Sequence, residues 1–291
     1  MLIKMRHILH PVRSGKSFCR RAYDSCSVFM YKQIAEREYR KIPRGRRGRC
    51  WCGGELLPFE WHANYGTCAD CGCYVDLYPP LPEALEQVYS LDRYWRVRQR
   101  MKGYLPIEAR GEQYKFEGRV DYWLSLVERY GPRGGCAIEV GCTPGVLLNE
   151  LRKLGYECIG VEVDEKVAEW IRCNAGVEVR SGLFPDVKLP PCDLFMAFDV
   201  AEHSPDPLAF WNGFARLLRP GGVAILQTPV ERYDYKHPFK TRPDFFDDVE
   251  HLFLLTDKAV RRLTDCACLE LVALEDAFQS LGQVCVLRKP L

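Results

Sequence analysis

Glu139-Val140-Gly141-Cys142-Thr143-Pro144-Gly145 is the stretch that decides the fold. It closes an apolar run, Cys136 to Val140, and opens a segment, Gly145 to Leu154, that places Val146, Leu147, Leu151 and Leu154 on one helical face. Outward from it the same alternation continues. Cys158 to Val163, Val177 to Arg180, Leu194 to Asp199 and Val223 to Thr228 read as strands, and Pro207 to Leu218 reads as a helix burying Phe210, Trp211, Phe214, Leu217 and Leu218. Strands alternating with helices predict an α/β, mostly parallel, doubly wound sheet that binds ligands at the carboxyl ends of its strands. Cys268 to Leu274 and Gln283 to Leu287 have only a loop between them, which predicts an antiparallel edge pair.

The turn also bears on the ligand. Small residues after the first strand let a ligand approach the backbone, and Glu162, 21 residues after Gly141, falls where a carboxylate can accept both hydrogens of a ribose diol. A dinucleotide would call for GxGxxG, to seat a pyrophosphate on the helix N-terminus. Here the turn reads GxTPG, and the leading Glu139 repels phosphate while suiting a cationic amino-acid group. A phosphate-free nucleoside fits better.

With these residues the chain resembles the class I S-adenosylmethionine-dependent methyltransferases, especially those with an N-terminal zinc ribbon, over residues 50 to 287. The acidic-x-Gly-x-Gly-x-Gly opening motif of that family is matched by Glu139, Gly141 and Gly145, with Thr143 where the central glycine stands. Because Thr143 precedes Pro144 it is biased to an extended conformation that a β-branched residue accepts, so a reshaped pocket is expected. Asp193 to Pro207 is similar to the family's fourth-strand motif, and Leu218-Arg219-Pro220-Gly221-Gly222 to its LxPGG turn. The resemblance implies a Rossmann-like seven-stranded sheet and S-adenosylmethionine as cofactor. It further implies that Glu162 holds the ribose hydroxyls, that Gly182, Leu183 and Phe184 lie beside the adenine, and that Asp199, Val200 and His203 border the methionine end. Cys142 and Val163 complete the expected cofactor set.

Fifteen cysteines is a high count, and their spacing divides them. Most lie singly in apolar runs, where a free thiol packs as a small hydrophobe. Cys50-Trp51-Cys52-Gly53-Gly54 and Cys68-Ala69-Asp70-Cys71-Gly72 instead form two glycine-bearing knuckles. Four thiolates at this spacing suit tetrahedral Zn²⁺, and a ribbon this small would draw its folding energy from the metal. Cys50, Cys52, Cys68 and Cys71 are the expected ligands, with Cys73 or His62 as possible replacements for one of them.

The net charge of +2 conceals an uneven distribution, because residues 1 to 49 hold 14 Lys or Arg against 3 Asp or Glu. The organisation read from this is a basic arm over 1–45, a zinc ribbon over 46–78, a helical linker over 79–112 and a methyltransferase domain over 113–291. In the linker, Glu83 to Arg100 reads as helical through Leu85, Val88 and Leu91, and Tyr89, Tyr94, Trp95 and Tyr104 read as packing between domains, with lining of a substrate cleft as the alternative. With 47% hydrophobic and 27% charged residues and no apolar run of roughly 18–20 residues, the chain reads as soluble, cytoplasmic and free of membrane.

Methyl transfer needs a positioned nucleophile and, for an unactivated hydroxyl, a base. Asp248 to Thr256 is similar to the segment that sugar C-methyltransferases place over the acceptor, whose histidine maps onto His251; their tyrosine has no match, since Asp248 stands there. His251 and His203 are the catalytic candidates. The loop Glu231 to Phe246, with His237 and its aromatic and basic side chains, reads as an acceptor lid, with a flexible surface loop carrying scattered aromatics as the alternative. The expected acceptor is a small molecule, such as a sugar, nucleotide-sugar or specialised metabolite. Two alternatives are an RNA methyltransferase gripping nucleic acid through ribbon and arm, and a non-catalytic relative that uses the same pocket for binding.

Overall fold

The computed structural model describes residues 29–231, 245–247, 249–278 and 282–291. Most of the basic arm, the loop from Arg232 to Asp244 with His237, and Asp248 lie outside the described residues.

In chain order, helix α1 (29–39) precedes a ribbon of three short strands, β1 (Leu56–Pro58), β2 (Tyr65–Cys68) and β3 (Tyr74–Asp76). The linker expected as one helix is interrupted. It comprises α2 (Leu85–Val88), a π-helix Leu91–Arg98 that runs into α3 (Gln99–Met101), and α4 (Ile107–Phe116), after which α5 (Arg119–Tyr130) opens the body. The break falls at Ser90, whose extended backbone and side chain cap the π-helix by accepting from the Arg93 amide. Leu85, Val88 and Leu91 are all buried, so the spacing located the inward face although not the break.

The body follows as β4 (Gly135–Val140), α6 (Val146–Lys153), β5 (Tyr156–Glu162), α7 (Glu165–Ala175), β6 (Glu178–Ser181), β7 (Cys192–Phe198), α8 (Pro207–Leu217), β8 (Leu218–Thr228), β9 (Val230–Glu231), β10 (Phe253–Thr256), α9 (Asp257–Cys266), β11 (Glu270–Asp276) and β12 (Gln283–Arg288). Seven strands form one sheet in the order β11-β12-β8-β7-β4-β5-β6. Its β6, β5, β4, β7 and β8 run parallel, while β12 is antiparallel to both β8 and β11, so the expected edge pair is present. The LxPGG segment begins β8 instead of preceding it.

Alternation along the central strands feeds two cores. Ile138 and Phe195 point to the face that holds Phe210, Trp211 and Phe214 of α8; Ala137, Leu194 and Met196 point to the face packed by Leu126 of α5, Leu147 and Leu151 of α6 and Ile171 of α7. The ribbon does not stand alone. It extends into a second sheet of order β1-β2-β3-β10-β9, in which β3 pairs with β10 through Val75 opposite Phe253 and Tyr74 opposite Leu254. No helix among the described residues is long and apolar enough to cross a membrane.

Candidate functional site

At the carboxyl ends of β4, β5 and β7 lies a cavity of about 590 Å³. Each strand delivers one carboxylate to it. Glu139 sits near the end of β4, Glu162 ends β5, and Asp199 follows β7 at φ 57°. The turn between β4 and α6 passes close beneath. Gly141, at φ +70°, leaves no room for a side chain, since a Cβ there would lie 2.5 Å from Val200 Cγ2.

The three acids differ in what holds them. Glu162 accepts from the Thr143 hydroxyl at 2.6 Å and from the Val163 amide at 2.9 Å. Burial raises its carboxyl to about 7, with these two bonds pulling the other way. Glu139 Oε2 is buried without a hydrogen-bond partner, and burial together with the Glu162 charge raises that carboxyl to about 8. Asp199 accepts from Gln227 Nε2 at 2.9 Å, and burial raises its carboxyl too. A buried polar atom without a partner is costly, which sets Glu139 apart from the two acids that are held by hydrogen bonds.

Cys142, Thr143, Val163, Gly182, Leu183, Phe184, Val200, His203 and His251 line the same cavity. Gly145 is not among the residues that line it. It caps α6 at φ +82°, where a Cβ would come within 2.7 Å of Ile171 and 2.9 Å of Ala175, so its smallness serves the packing of α6 on α7.

The far wall comes from the linker. Tyr89, Tyr94, Trp95 and Tyr104, expected to pack between domains, line the cavity beside Tyr114 and Trp123. Arg98 bonds both Asp247 and Glu250, and Lys102 lies 3.2 Å and 2.9 Å from the same two carboxylates. Burial would raise these two acids, but Lys102 and Arg98 hold both below the usual carboxylate range. This quartet clamps the segment before His251 onto the linker. It escaped the sequence reading, although the basic run Arg96 to Lys102 and the acidic run Asp247 to Glu250 are complementary.

The two histidines face each other with ring centroids 5.2 Å apart. His203 Nδ1 lies 2.6 Å from the Glu250 carbonyl and His251 Nδ1 lies 2.6 Å from the Phe245 carbonyl. A carbonyl only accepts, so each Nδ1 carries the proton and each Nε2 is left as a base or ligand. Burial, aided by the neighbouring His251, lowers His203 to about 4, which keeps it neutral.

In the ribbon, the four expected thiols converge. Cys50, Cys52, Cys68 and Cys71 place their sulfurs within 4.8 Å of one another, with Cys50 to Cys71 at 3.6 Å and Cys52 to Cys68 at 3.5 Å. Zn–S bonds of about 2.3 Å in a tetrahedron require sulfurs about 3.8 Å apart, so the donor set fits the ion. Gly54 closes beneath it, because a Cβ there would lie 2.6 Å from Cys68 Sγ. His62 is elsewhere, packed against Tyr65 and Phe246.

A model of the methyltransferase domain family matches residues 113–274, just over half of the chain. A probable S-adenosylmethionine-dependent methyltransferase of Mycolicibacterium smegmatis is 30% identical over 121 residues, 40% of this chain and 46% of that one. A ubiquinone biosynthesis O-methyltransferase of Xanthomonas axonopodis pv. citri is 32% identical over 118 residues, 38% and 48% of the two chains. The chain thus spans less than half the length of these curated relatives. Among solved structures, the magnesium protoporphyrin IX methyltransferase of Synechocystis with bound S-adenosylhomocysteine superposes with a TM-score of 0.50 at 13% identity, over 70% of this chain and 92% of that one, a likeness of fold. The seven-stranded order and the family match agree, and the chain belongs to the methyltransferase domain family.

Proposed function

We propose that the protein transfers a methyl group from S-adenosylmethionine to a small, ring-bearing hydroxylated acceptor, in the class of sugars, nucleotide-sugars or specialised metabolites. The observation that carries this is one cavity lined by Glu162, by the partnerless Glu139 Oε2 and by the facing imidazoles of His203 and His251. Glu162 would hold the ribose hydroxyls, Glu139 and Asp199 the cationic end, and Gly182, Leu183 and Phe184 the adenine. Bound there, the sulfonium supplies the electrophilic methyl. The aromatic wall of Tyr89, Tyr94, Trp95 and Tyr104 stacks the acceptor ring, and Nε2 of His251 or His203 takes the hydroxyl proton. The thiol quartet is assigned to structural Zn²⁺.

Methyl label from S-adenosylmethionine is expected to appear in hydroxylated ring acceptors, with His251→Ala lowering kcat by about 10²–10⁴ while affinity for S-adenosylhomocysteine is kept. Protein that binds S-adenosylhomocysteine but labels no acceptor would favour the non-catalytic alternative.

The acids also predict a pH dependence. Glu139 and Glu162 have carboxyls raised from 4.5 to about 8 and about 7, so their contribution to folding is full below 4.5 and is lost as pH climbs through 7 to 8. The ribose diol needs Glu162 ionised, which reverses the trend for the complex. Calorimetry should therefore show S-adenosylhomocysteine binding about tenfold more tightly at pH 8 than at pH 6. Equal affinity at both would remove Glu162 from the binding surface.

A further inference from the structure

We infer that Glu202, His203 and His251 form a divalent-cation site on the acceptor side of the cavity, distinct from the cysteine quartet. A carboxylate oxygen of Glu202 and an imidazole nitrogen of each histidine lie within 4.8 Å of one another, and all three residues line the cavity. Two histidines and one carboxylate on one face, with the remaining positions open to a cavity, is a donor set that takes Mn²⁺, Fe²⁺, Co²⁺ or Zn²⁺.

Three features show that the set is built and held. Both Nδ1 atoms lie 2.6 Å from backbone carbonyls, the outer-shell arrangement that fixes the tautomer and leaves Nε2 free to ligate. The Thr228 hydroxyl donates to Glu202 Oε2 at 2.8 Å, anchoring the carboxylate in the same way. The two segments that carry the ligands are tied together, since the Leu252 amide donates to the Glu202 carbonyl at 2.8 Å. Glu202 is also 2% exposed and has no cationic side chain paired with it among the described residues. A buried carboxylate beside two imidazoles and no ammonium or guanidinium is left for a cation from outside the chain.

The aromatic wall lines the same cavity, so oxygens of the acceptor would take the open positions. This rests on the functional reading for the acceptor's place; with the cation bound the two histidines hold it, and proton acceptance by Nε2 belongs to the cation-free site. The cysteine quartet cannot substitute, because thiolates suit Zn²⁺ whereas Mn²⁺ prefers oxygen and imidazole.

The test is a Mn²⁺ titration of the full chain carrying one zinc per molecule, followed by the electron paramagnetic resonance signal of free Mn²⁺. One Mn²⁺ per chain is expected to bind, with affinity at least tenfold weaker in His203→Ala, His251→Ala and the isosteric Glu202→Gln, and unchanged in Glu162→Ala. The thermal midpoint, measured on the same samples, reports whether each variant is folded. Wild-type S-adenosylhomocysteine affinity separates the two ideas: Mn²⁺ binding without S-adenosylhomocysteine binding would sink the methyl-donor reading and leave the cation site standing. No Mn²⁺ bound by wild type at millimolar concentration overturns the site, as does binding that folded Glu202→Gln retains in full.

Discussion

Replacing Cys71 with serine is expected to lower the thermal midpoint of the whole chain by about 10 °C, corresponding to ~4 kcal/mol for a protein of this size. The reason is what the ribbon holds. Its three strands are three or four residues each and Leu57 is exposed, so their own apolar burial is small. Four thiolates around the proposed Zn²⁺ would supply what that burial cannot. The loss would not stay local. The Cys71 carbonyl accepts from Thr256 Oγ1 at 2.6 Å, the Asp76 amide donates to the Leu252 carbonyl at 3.1 Å, and the Tyr65 hydroxyl donates to the His251 carbonyl at 2.6 Å. Loosening the ribbon therefore frees the segment that carries His251. Chelation should release one zinc per chain from wild type and less from the variant, with acceptor turnover falling before donor affinity does. A ribbon that melts together with wild type after substitution would count against the metal.

The second large effect is expected at Glu162. Its alanine variant should weaken S-adenosylhomocysteine by about 1–3 kcal/mol, roughly 5- to 150-fold, because a ribose diol loses its charged acceptor. Thr143 makes the case sharper. The residue that breaks the family's glycine pattern is the one whose hydroxyl anchors Glu162 at 2.6 Å, so in this chain the departure positions the carboxylate. Glu162→Gln keeps shape and one acceptor oxygen, and should recover part of the loss.

The sequence made the body legible because each buried strand alternates two core faces and each helix shows a 3.6-residue stripe; Ile138 beside Ala137 and Leu147 with Leu151 carry that signal. The cysteine quartet was legible from spacing alone, and the convergence of its sulfurs follows from two short knuckles. What stayed hidden is long-range. A three-residue strand such as β3 has no period to detect, and its pairing with β10 joins residues some 180 positions apart. The aromatic wall was read as packing because a tyrosine spacing does not distinguish a buried ring from one that lines a cavity. The motif offered no sign that Gly145 also packs closely against Ile171 and Ala175. The clamp of Arg98 and Lys102 on Asp247 and Glu250 required knowing that two distant charge runs meet.

The central claim is that a nucleoside thioether lies across the ends of β4, β5 and β7. A crystal structure of the protein soaked with S-adenosylhomocysteine tests it most directly. The account predicts both ribose hydroxyls within hydrogen-bonding distance of the Glu162 carboxylate. Density for the ligand elsewhere, or none at saturating concentration, would contradict it.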